Sequence, residues 1–198
     1  MKSARIFLQR VATGEMAEAG LCDEITDEHL EMWDTTWCPV MEAHCEGLPR
    51  EAEPEDSEWD WKANARQWRR LATFRSFAVV CDGELQGMMV VRDKMNAAGM
   101  PIIYVELLAT APWNRPEIQM PPRYRGVGRA LLLAAVELSR KLGFGGRMGL
   151  HSLPAAEPFY RDKCGMTEME RDAAYHDLMY FEMTEADAEA FRQNKKKP

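Results

Sequence analysis

The sequence has few cysteines, and they show none of the spacings that build disulfide frameworks or zinc sites. Five cysteines occur among 198 residues, an odd number, and none forms a Cys-x-x-Cys pair. Cys38, His44 and Cys45 lie close together, but a fourth ligand is missing, and a free cysteine is commonly a small buried apolar residue. We therefore expect neither a disulfide framework nor a bound metal.

The start of the chain lacks the pattern of a signal peptide or a membrane span. Residues 1–11 mix Lys2, Arg5 and Arg10 with only a few apolar residues. A signal peptide needs a continuous apolar segment, and a spanning helix needs about 20 apolar residues. We therefore expect a cytoplasmic protein without a membrane partner.

Positive charge is in short supply. The chain has 25 Lys and Arg against 32 Asp and Glu, for a formal net charge of −7. A phosphate backbone is repelled on average, so we expect no nucleic-acid partner. The basic run Lys195–Lys197 is typical of a solvated chain end.

Short apolar runs alternate with helical patterns, which predicts one mixed α/β domain over residues 1–198. An acidic loop with two prolines occupies 51–58, and Asp82-Gly83-Glu84 between apolar runs predicts a hairpin. The predicted strands are 6–11, 76–81, 85–92, 101–110, 147–153 and 175–183. The predicted helices are 27–46, 59–71, 126–142, 155–164 and 185–193. Pro39 should break or kink the first, and Gly143 and Gly165 should end the third and fourth. The proline-rich segment 112–122 is predicted to be irregular.

The segment from Arg123 to Ala130 combines glycines with arginines between a predicted buried strand and a predicted amphipathic helix. A helix start presents backbone N–H groups without partners and partial positive charge. Gly126 lets a bulky anion approach the backbone because it has no Cβ. The GxGxxG fingerprint fails at Leu131, and the Lys-Ser/Thr pair of a P-loop is absent. The segment therefore predicts a pyrophosphate site, against the alternative of a glycine-rich turn with incidental arginines.

Three blocks in one order resemble the GNAT superfamily of acyl-CoA N-acyltransferases. Arg123-x-x-Gly126-x-Gly128 is similar to its [Gln/Arg]-x-x-Gly-x-[Gly/Ala] signature. Glu106–Pro112 resembles the end of the family's fourth strand, and Phe159–Met166 resembles its Phe-Tyr-x-x-x-Gly-Phe block. The resemblance covers roughly 102–183. Two features depart from it: an insert over 113–122, and Ser152-Leu153-Pro154 in the region where the family often has an asparagine.

The resemblance implies an α/β (α+β) fold with a mixed, mostly antiparallel sheet of six or seven strands, splayed between the fourth and fifth. It implies acetyl-CoA as cosubstrate, a core over about 100–183, acceptor-side helices over about 23–75, and no metal. The exposed backbone of Leu108, Ala109 and Thr110 would contact the pantetheine arm. The pyrophosphate would be held by Arg123, Tyr124, Arg125, Gly126, Val127, Gly128, Arg129 and Ala130.

Two side chains are candidates for proton transfer in that chemistry. Glu106 is the lone carboxylate in an apolar run, and with few partners it would suit the proton acceptor that an alkylamine needs; the alternative is a structural carboxylate. Tyr160 matches the family tyrosine that protonates the leaving thiolate; the alternative is a core tyrosine. His151 and Ser152 are neighbours on a strand and point to opposite faces, so we expect direct transfer to a primary amine.

The acceptor side is rich in aromatic and acidic residues. All six tryptophans lie between residues 33 and 113, together with the acidic loop 51–58. Indole faces and carboxylates suit a small cationic amine, such as a polyamine or an aminoglycoside-like molecule. The alternative is that the tryptophans pack helices and the acids solvate a loop. Two alternative functions stay open: a non-catalytic acyl-CoA-binding sensor, and an acetyltransferase that acts on protein or peptide amines. A homodimer is a further expectation.

Overall fold

The computed structural model of the chain describes residues 3–194, which contain nine strands and five α-helices. The strands are β1 Ser3–Arg10, β2 Met16–Cys22, β3 Phe74–Cys81, β4 Glu84–Met95, β5 Pro101–Thr110, β6 Tyr124–Arg125, β7 Met148–Ser152, β8 Thr167–Asp172 and β9 Leu178–Met183. The helices are α1 Asp27–Met32, α2 Cys38–Cys45, α3 Trp61–Trp68, α4 Val127–Lys141 and α5 Glu185–Gln193. Lys195–Lys197 lies outside the described residues.

The described residues form two compact units. The first unit consists of 3–89 and 108–131, and the second of 90–107 and 132–194, so β4 and β5 each contribute to both. Strand order in the first unit is β6-β1-β2-β3-β4, and in the second it is β4-β5-β7-β9-β8. The fold is mixed α/β with one open sheet, as predicted, but with nine strands where six or seven were expected. The single domain remains a prediction.

Several local predictions from the sequence are confirmed. The hairpin between β3 and β4 turns at Asp82 and Gly83, whose φ angles are 54° and 76°. Two successive residues with positive φ are what a two-residue hairpin turn with the right-handed strand twist requires. The predicted strand 101–110 is β5, and Gly143 follows α4 with a φ of 80°.

Three strands, β2, β6 and β8, were not predicted. β2 buries the small side chains Ala17 and Ala19, which give little apolar signal. β6 has only two residues and forms by pairing with β1, and the side chains of β8 are mostly exposed at the edge of the sheet. Each of these strands depends on a neighbouring strand more than on its own sequence.

The predicted helix 27–46 is interrupted. α1 is followed by a π-helical turn over Trp33–Trp37, and Pro39 lies in the first turn of α2, where a missing N–H costs little. α3 lies within the predicted helix 59–71 and buries Trp61 and Ala65, but Leu71 lies beyond the helix end and is exposed. The predicted helix 155–164 consists of a 3₁₀ turn, Pro154–Ala156, and a π-helical turn, Phe159–Lys163.

β5 and β7 form a parallel pair within the second unit. Their register runs from Ile103↔Met148 to Val105↔Leu150. Within the described chain no Cα pairing of these two strands is recorded beyond Val105, although β5 continues to Thr110 and β7 to Ser152. Within residues 3–194, the Cα pairing of β5 with β7 therefore covers Ile103–Val105 of the second unit.

Candidate acyl-CoA and acceptor site

The glycine turn lies where α4 begins, in the first unit. Gly126 has a φ of 98°, a region that residues with a Cβ rarely adopt. The N–H of Ala130 donates to the carbonyl of Gly126, which closes the first helical turn. The helix itself offers no acceptor to the N–H groups of Val127 and Gly128, and its dipole places partial positive charge there. These groups can bind an anion.

Gly87 on β4 sets how closely this helix start approaches the sheet. A Cβ at position 87 would lie 2.6 Å from Cγ1 of Val127, 3.0 Å from Cδ1 of Leu131 and 3.3 Å from the carbonyl oxygen of Ala109. The first turn of α4 can therefore pack against the strand only because residue 87 is glycine. Sequence reasoning missed Gly87, because no local signal connects it to a helix forty residues away.

The side chains of Arg123 and Tyr124, both predicted pyrophosphate residues, contact other parts of the protein. Arg123 forms an ion pair with Glu84, and its guanidinium lies 4.9 Å from the ring centroid of Trp113. The Tyr124 N–H donates to Oδ1 of Asn114 at 2.9 Å, and its hydroxyl donates to Asp82. Burial raises the pKa of Tyr124, with the Asp82 carboxylate adding to the effect, so the phenol stays protonated.

The insert 113–122 is anchored by a buried glutamine. Oε1 of Gln86 accepts hydrogen bonds from Nε1 of Trp113 and Nδ2 of Asn114, both at 2.9 Å, and its backbone carbonyl accepts from the N–H of Ala111 at 2.9 Å. Gln86 has no exposed surface. It is a second position at the candidate site that the sequence did not reveal, because its hydrogen-bond partners Trp113 and Asn114 lie 27 and 28 residues away along the chain.

A cavity of about 200 Å³ lies in the first unit, and we call it the acceptor cavity. Its aromatic lining comes from the predicted acceptor-side region: Trp33, Trp37, Trp59 and Trp61. Its other lining residues include the carboxylates Glu42, Glu53, Asp56 and Glu58, the thiols Cys38 and Cys45, Ala109 and Arg115. Trp37 and Trp61 are buried and also belong to the core, and Nε1 of Trp37 donates to the carbonyl of Leu85 at 3.0 Å. The tryptophans of this region therefore both pack the core and line the cavity.

Burial and nearby carboxylates raise the pKa values of the two thiols that line the acceptor cavity. Burial raises the pKa of Cys38 to about 11, and the carboxylates of Asp34 and Glu42 add to the rise. Burial also raises the pKa of Cys45, with Glu53 and Asp56 contributing. Both thiols are therefore protonated near neutral pH and are poor nucleophiles. The carboxylates that oppose a thiolate here equally favour a cation.

Glu106 lies in the second unit and is not the isolated carboxylate that the sequence suggested. Its side chain forms an ion pair with Arg92 on β4, and both side chains are partly buried. The guanidinium of Arg92 also lies 5.7 Å from the ring centroid of Tyr104. The expectation of a carboxylate with few partners was wrong, because the strand that carries Arg92 packs alongside β5.

Tyr160 lies in the π-helical turn of the second unit. It is buried, and its ring packs against Phe181 with the centroids 5.9 Å apart. Burial raises the pKa of Tyr160, so its hydroxyl is protonated at neutral pH. Cys164, at the end of the same turn, is buried as well.

His151 forms an aromatic cluster in the second unit. Its Nδ1 lies 2.7 Å from the hydroxyl of Tyr104, and its ring stacks on Tyr175 at 3.9 Å. Its Nε2 lies 3.4 Å from Oδ2 of Asp172. Burial lowers the pKa of His151, and Asp172 partly opposes this. Ser152 donates to the carbonyl of Leu153, so the two neighbours do not form a nucleophile pair.

Comparison with known proteins shows which fold family the structure resembles. No protein-family model matches the sequence, and no curated protein matches it. Solved structures do match. The GNAT domain of S. lividans PAT is 15% identical with a TM-score of 0.55, covering 91% of this chain and 96% of that one. The PaiA N-acetyltransferase of Thermoplasma acidophilum, in complex with coenzyme A, is 16% identical with a TM-score of 0.53, covering 83% and 97%. The chain has the GNAT acetyltransferase fold.

Within this GNAT fold, β5 and β7 are the strands that the sequence blocks matched to the family's fourth and fifth. Their parallel pairing ends at Val105↔Leu150, which fits the predicted splay. No group of three or more His, Cys, Asp and Glu side chains within 3–194 is arranged to hold a metal ion. No helix in that range is long and apolar enough to cross a membrane.

Proposed function

We propose that this chain is an acetyl-CoA-dependent N-acetyltransferase that acts on a small cationic amine. The observation that carries the proposal is the glycine turn at the start of α4, with Gly126 at a φ of 98° and Gly87 allowing the close approach of the helix. In a GNAT fold this turn follows the splayed strand, and its N–H groups suit a pyrophosphate. The coenzyme A bound to the structural neighbour from Thermoplasma acidophilum supports the same ligand.

The residues around the turn fit coenzyme A. The N–H groups at the start of α4 and the exposed side chain of Arg125 would bind its pyrophosphate. The backbone of Leu108, Ala109 and Thr110 would contact the pantetheine arm, although the Thr110 carbonyl already accepts from Nε of Arg115 at 2.8 Å. When bound, acetyl-CoA supplies an activated acetyl thioester.

Two residues of the second unit would handle the protons. Glu106 would accept the proton that a protonated amine must lose before it can attack, with Arg92 holding the carboxylate in place. Tyr160, which burial keeps protonated by raising its pKa, would donate its hydroxyl proton to the departing sulfur. The resulting tyrosinate would take up the second proton, which the acylated nitrogen releases as the C–S bond breaks. The protonated thiols of Cys38 and Cys45 favour direct transfer over an acetylated cysteine.

The acceptor would bind in the acceptor cavity. Glu42 and Glu53 line it, and neither carboxylate has a cationic partner among residues 3–194, whereas the half-buried indoles of Trp33 and Trp59 present π-faces. A volume of about 200 Å³ lies below the roughly 300–1,000 Å³ of sites for drug-sized ligands. The cavity therefore favours a compact amine such as a diamine over an aminoglycoside-like molecule.

Steady-state thiol release from acetyl-CoA across an amine panel tests this function, with coenzyme A binding measured by calorimetry. We expect binding of coenzyme A and turnover with compact diamines. Binding without turnover on any amine would instead indicate the acyl-CoA sensor, and turnover only with peptide amines would indicate the protein acetyltransferase. Absence of coenzyme A binding by folded protein would contradict the whole proposal.

A further inference from the structure

Arg115 joins three segments of the first unit through one side chain. Nη1 and Nη2 donate to Oδ1 and Oδ2 of Asp56, each at 2.7 Å, and Nε donates to the carbonyl of Thr110 at 2.8 Å. Asp56 belongs to the acidic loop, Thr110 is the last residue of β5, and Arg115 lies in the insert. A planar guanidinium that pairs with both carboxylate oxygens fixes direction as well as distance.

This ion pair is mostly buried, unlike the exposed pair that Glu58 of the same loop forms with Arg50. The side chains of Arg115 and Asp56 are 11% and 13% exposed, whereas those of Arg50 and Glu58 are 78% and 72% exposed. Water and salt screen an exposed pair, and such pairs contribute little. Loss of one partner of a buried pair leaves a charge that the protein must accommodate in another way. The mostly buried Arg115–Asp56 pair is therefore better able than the exposed Arg50–Glu58 pair to hold the loop in one place.

The acidic residues that line the acceptor cavity fall into two groups, those with a cationic partner and those without one. Asp56 is neutralised by Arg115, and Glu58 pairs with Arg50. Glu42 and Glu53 are the lining carboxylates that remain, within 3–194, without a cationic partner. Turns within the loop, from Ser57 N–H to the Pro54 carbonyl and from Trp59 N–H to the Asp56 carbonyl, connect Asp56 to the aromatic lining.

We propose that Arg115 is a positioning residue that clamps the acidic loop through Asp56 as one wall of the acceptor cavity, leaving Glu42 and Glu53 to recognise a cationic amine. This rests on the proposed acetyltransferase function. The insert that departs from the family pattern thereby has a role in acceptor specificity. Arg115 itself need not touch the amine, because its contribution passes through Asp56.

Asp56→Asn tests the clamp, because it weakens the ion pair and retains the Arg115–Thr110 hydrogen bond. The first readout is native-state hydrogen exchange at the Ser57 and Trp59 amides, which needs no activity. We expect exchange there to accelerate by roughly tenfold or more. Arg50→Gln, which breaks the exposed pair of the same loop, should leave these rates unchanged. Arg115→Lys keeps the positive charge but cannot bind both oxygens of Asp56 as the planar guanidinium does. It should accelerate exchange at the Ser57 and Trp59 amides, as Asp56→Asn does.

The second readout separates acceptor binding from catalysis. For Asp56→Asn we expect the KM for a diamine to rise about tenfold, with kcat and the calorimetric Kd for coenzyme A unchanged within about twofold. Unchanged exchange at Ser57 and Trp59 would overturn the clamp. Faster exchange with an unchanged acceptor KM would overturn the positioning role. A wild-type protein that acetylates no amine would refute the proposed function and the acceptor role together, while the exchange rates would still decide whether the clamp exists.

Discussion

The carboxylate of Glu106 is paired with the guanidinium of Arg92, on strands that are neighbours in the second unit. The sequence showed an acid alone among apolar residues, and that picture suggested a base poised by burial. The structure instead gives it a fixed cationic partner that is itself packed on Tyr104. A paired carboxylate can be held in one orientation, which a proton acceptor needs, or it can serve only to hold two strands together.

Glu106→Gln distinguishes these two roles. We expect kcat to fall by about 10²-fold at saturating acetyl-CoA, because the amide cannot accept a proton, with little change in acceptor KM. Initial rates of thiol release measure this. Glu182→Gln is the matched control, since Glu182 is another partly buried carboxylate of the second unit, bonded to Asn96 and Tyr180. Near-normal turnover of Glu106→Gln would make the Arg92 pair purely structural.

Tyr160→Phe removes a hydroxyl and preserves the ring that packs on Phe181. We expect kcat to fall at least tenfold, because the departing thiolate loses its proton donor, with unfolding temperature little changed. Tyr175→Phe provides the comparison: it removes a hydroxyl that accepts from Nζ of Lys94 at 2.9 Å, outside the proposed site. Equal rates for Tyr160→Phe and the wild type would assign Tyr160 to the core alone.

Gly126→Asp and Gly126→Ala separate backbone strain from charge. A side chain at a φ of 98° is strained, and we expect each variant to lose about 1–2 kcal/mol of stability. Only the aspartate adds negative charge where a pyrophosphate would bind. Its Kd for coenzyme A, measured by calorimetry, should therefore be roughly tenfold weaker than that of Gly126→Ala. If both variants bind like the wild type, the glycine turn is not the pyrophosphate site.

His151 makes stability depend on pH. Its pKa in the folded protein lies below the ordinary value of 6.5 because of burial, with Lys94 also opposing its charge and Asp172 partly compensating. The unfolded chain therefore binds the proton more readily. The stabilisation is present above about pH 6.5 and is lost as the pH falls through the lower folded pKa.

Denaturant unfolding between pH 5 and pH 8 measures this effect. The wild type should lose stability on acidification, and His151→Gln, which cannot be protonated, should lose less. Burial lowers the pKa of His29 in the first unit as well, so part of the slope should remain in the variant. Identical slopes for the two proteins would show that His151 is not buried in its neutral form.

The sequence by itself determined the features that depend on a few neighbouring residues. The Asp82-Gly83 turn, the apolar strand 101–110 and the glycine turn before α4 are each specified by local backbone preference and apolar pattern. The order of three such blocks predicted the GNAT fold, which the structure and its solved neighbours confirm. Strands made of small or exposed residues, such as β2 and β8, lacked that local signal.

Only the tertiary structure decided which charges and polar groups meet. Arg123 pairs with Glu84 across 39 residues of sequence, and Arg115 pairs with Asp56 across 59. Gln86 anchors Trp113 across 27. Such partners are chosen by the fold, because a side chain's charge and hydrogen-bonding groups act over a few ångströms in space, whatever their separation along the chain. The fold likewise brings Glu42 and Glu53 to the acceptor cavity, where within residues 3–194 neither has a cationic partner.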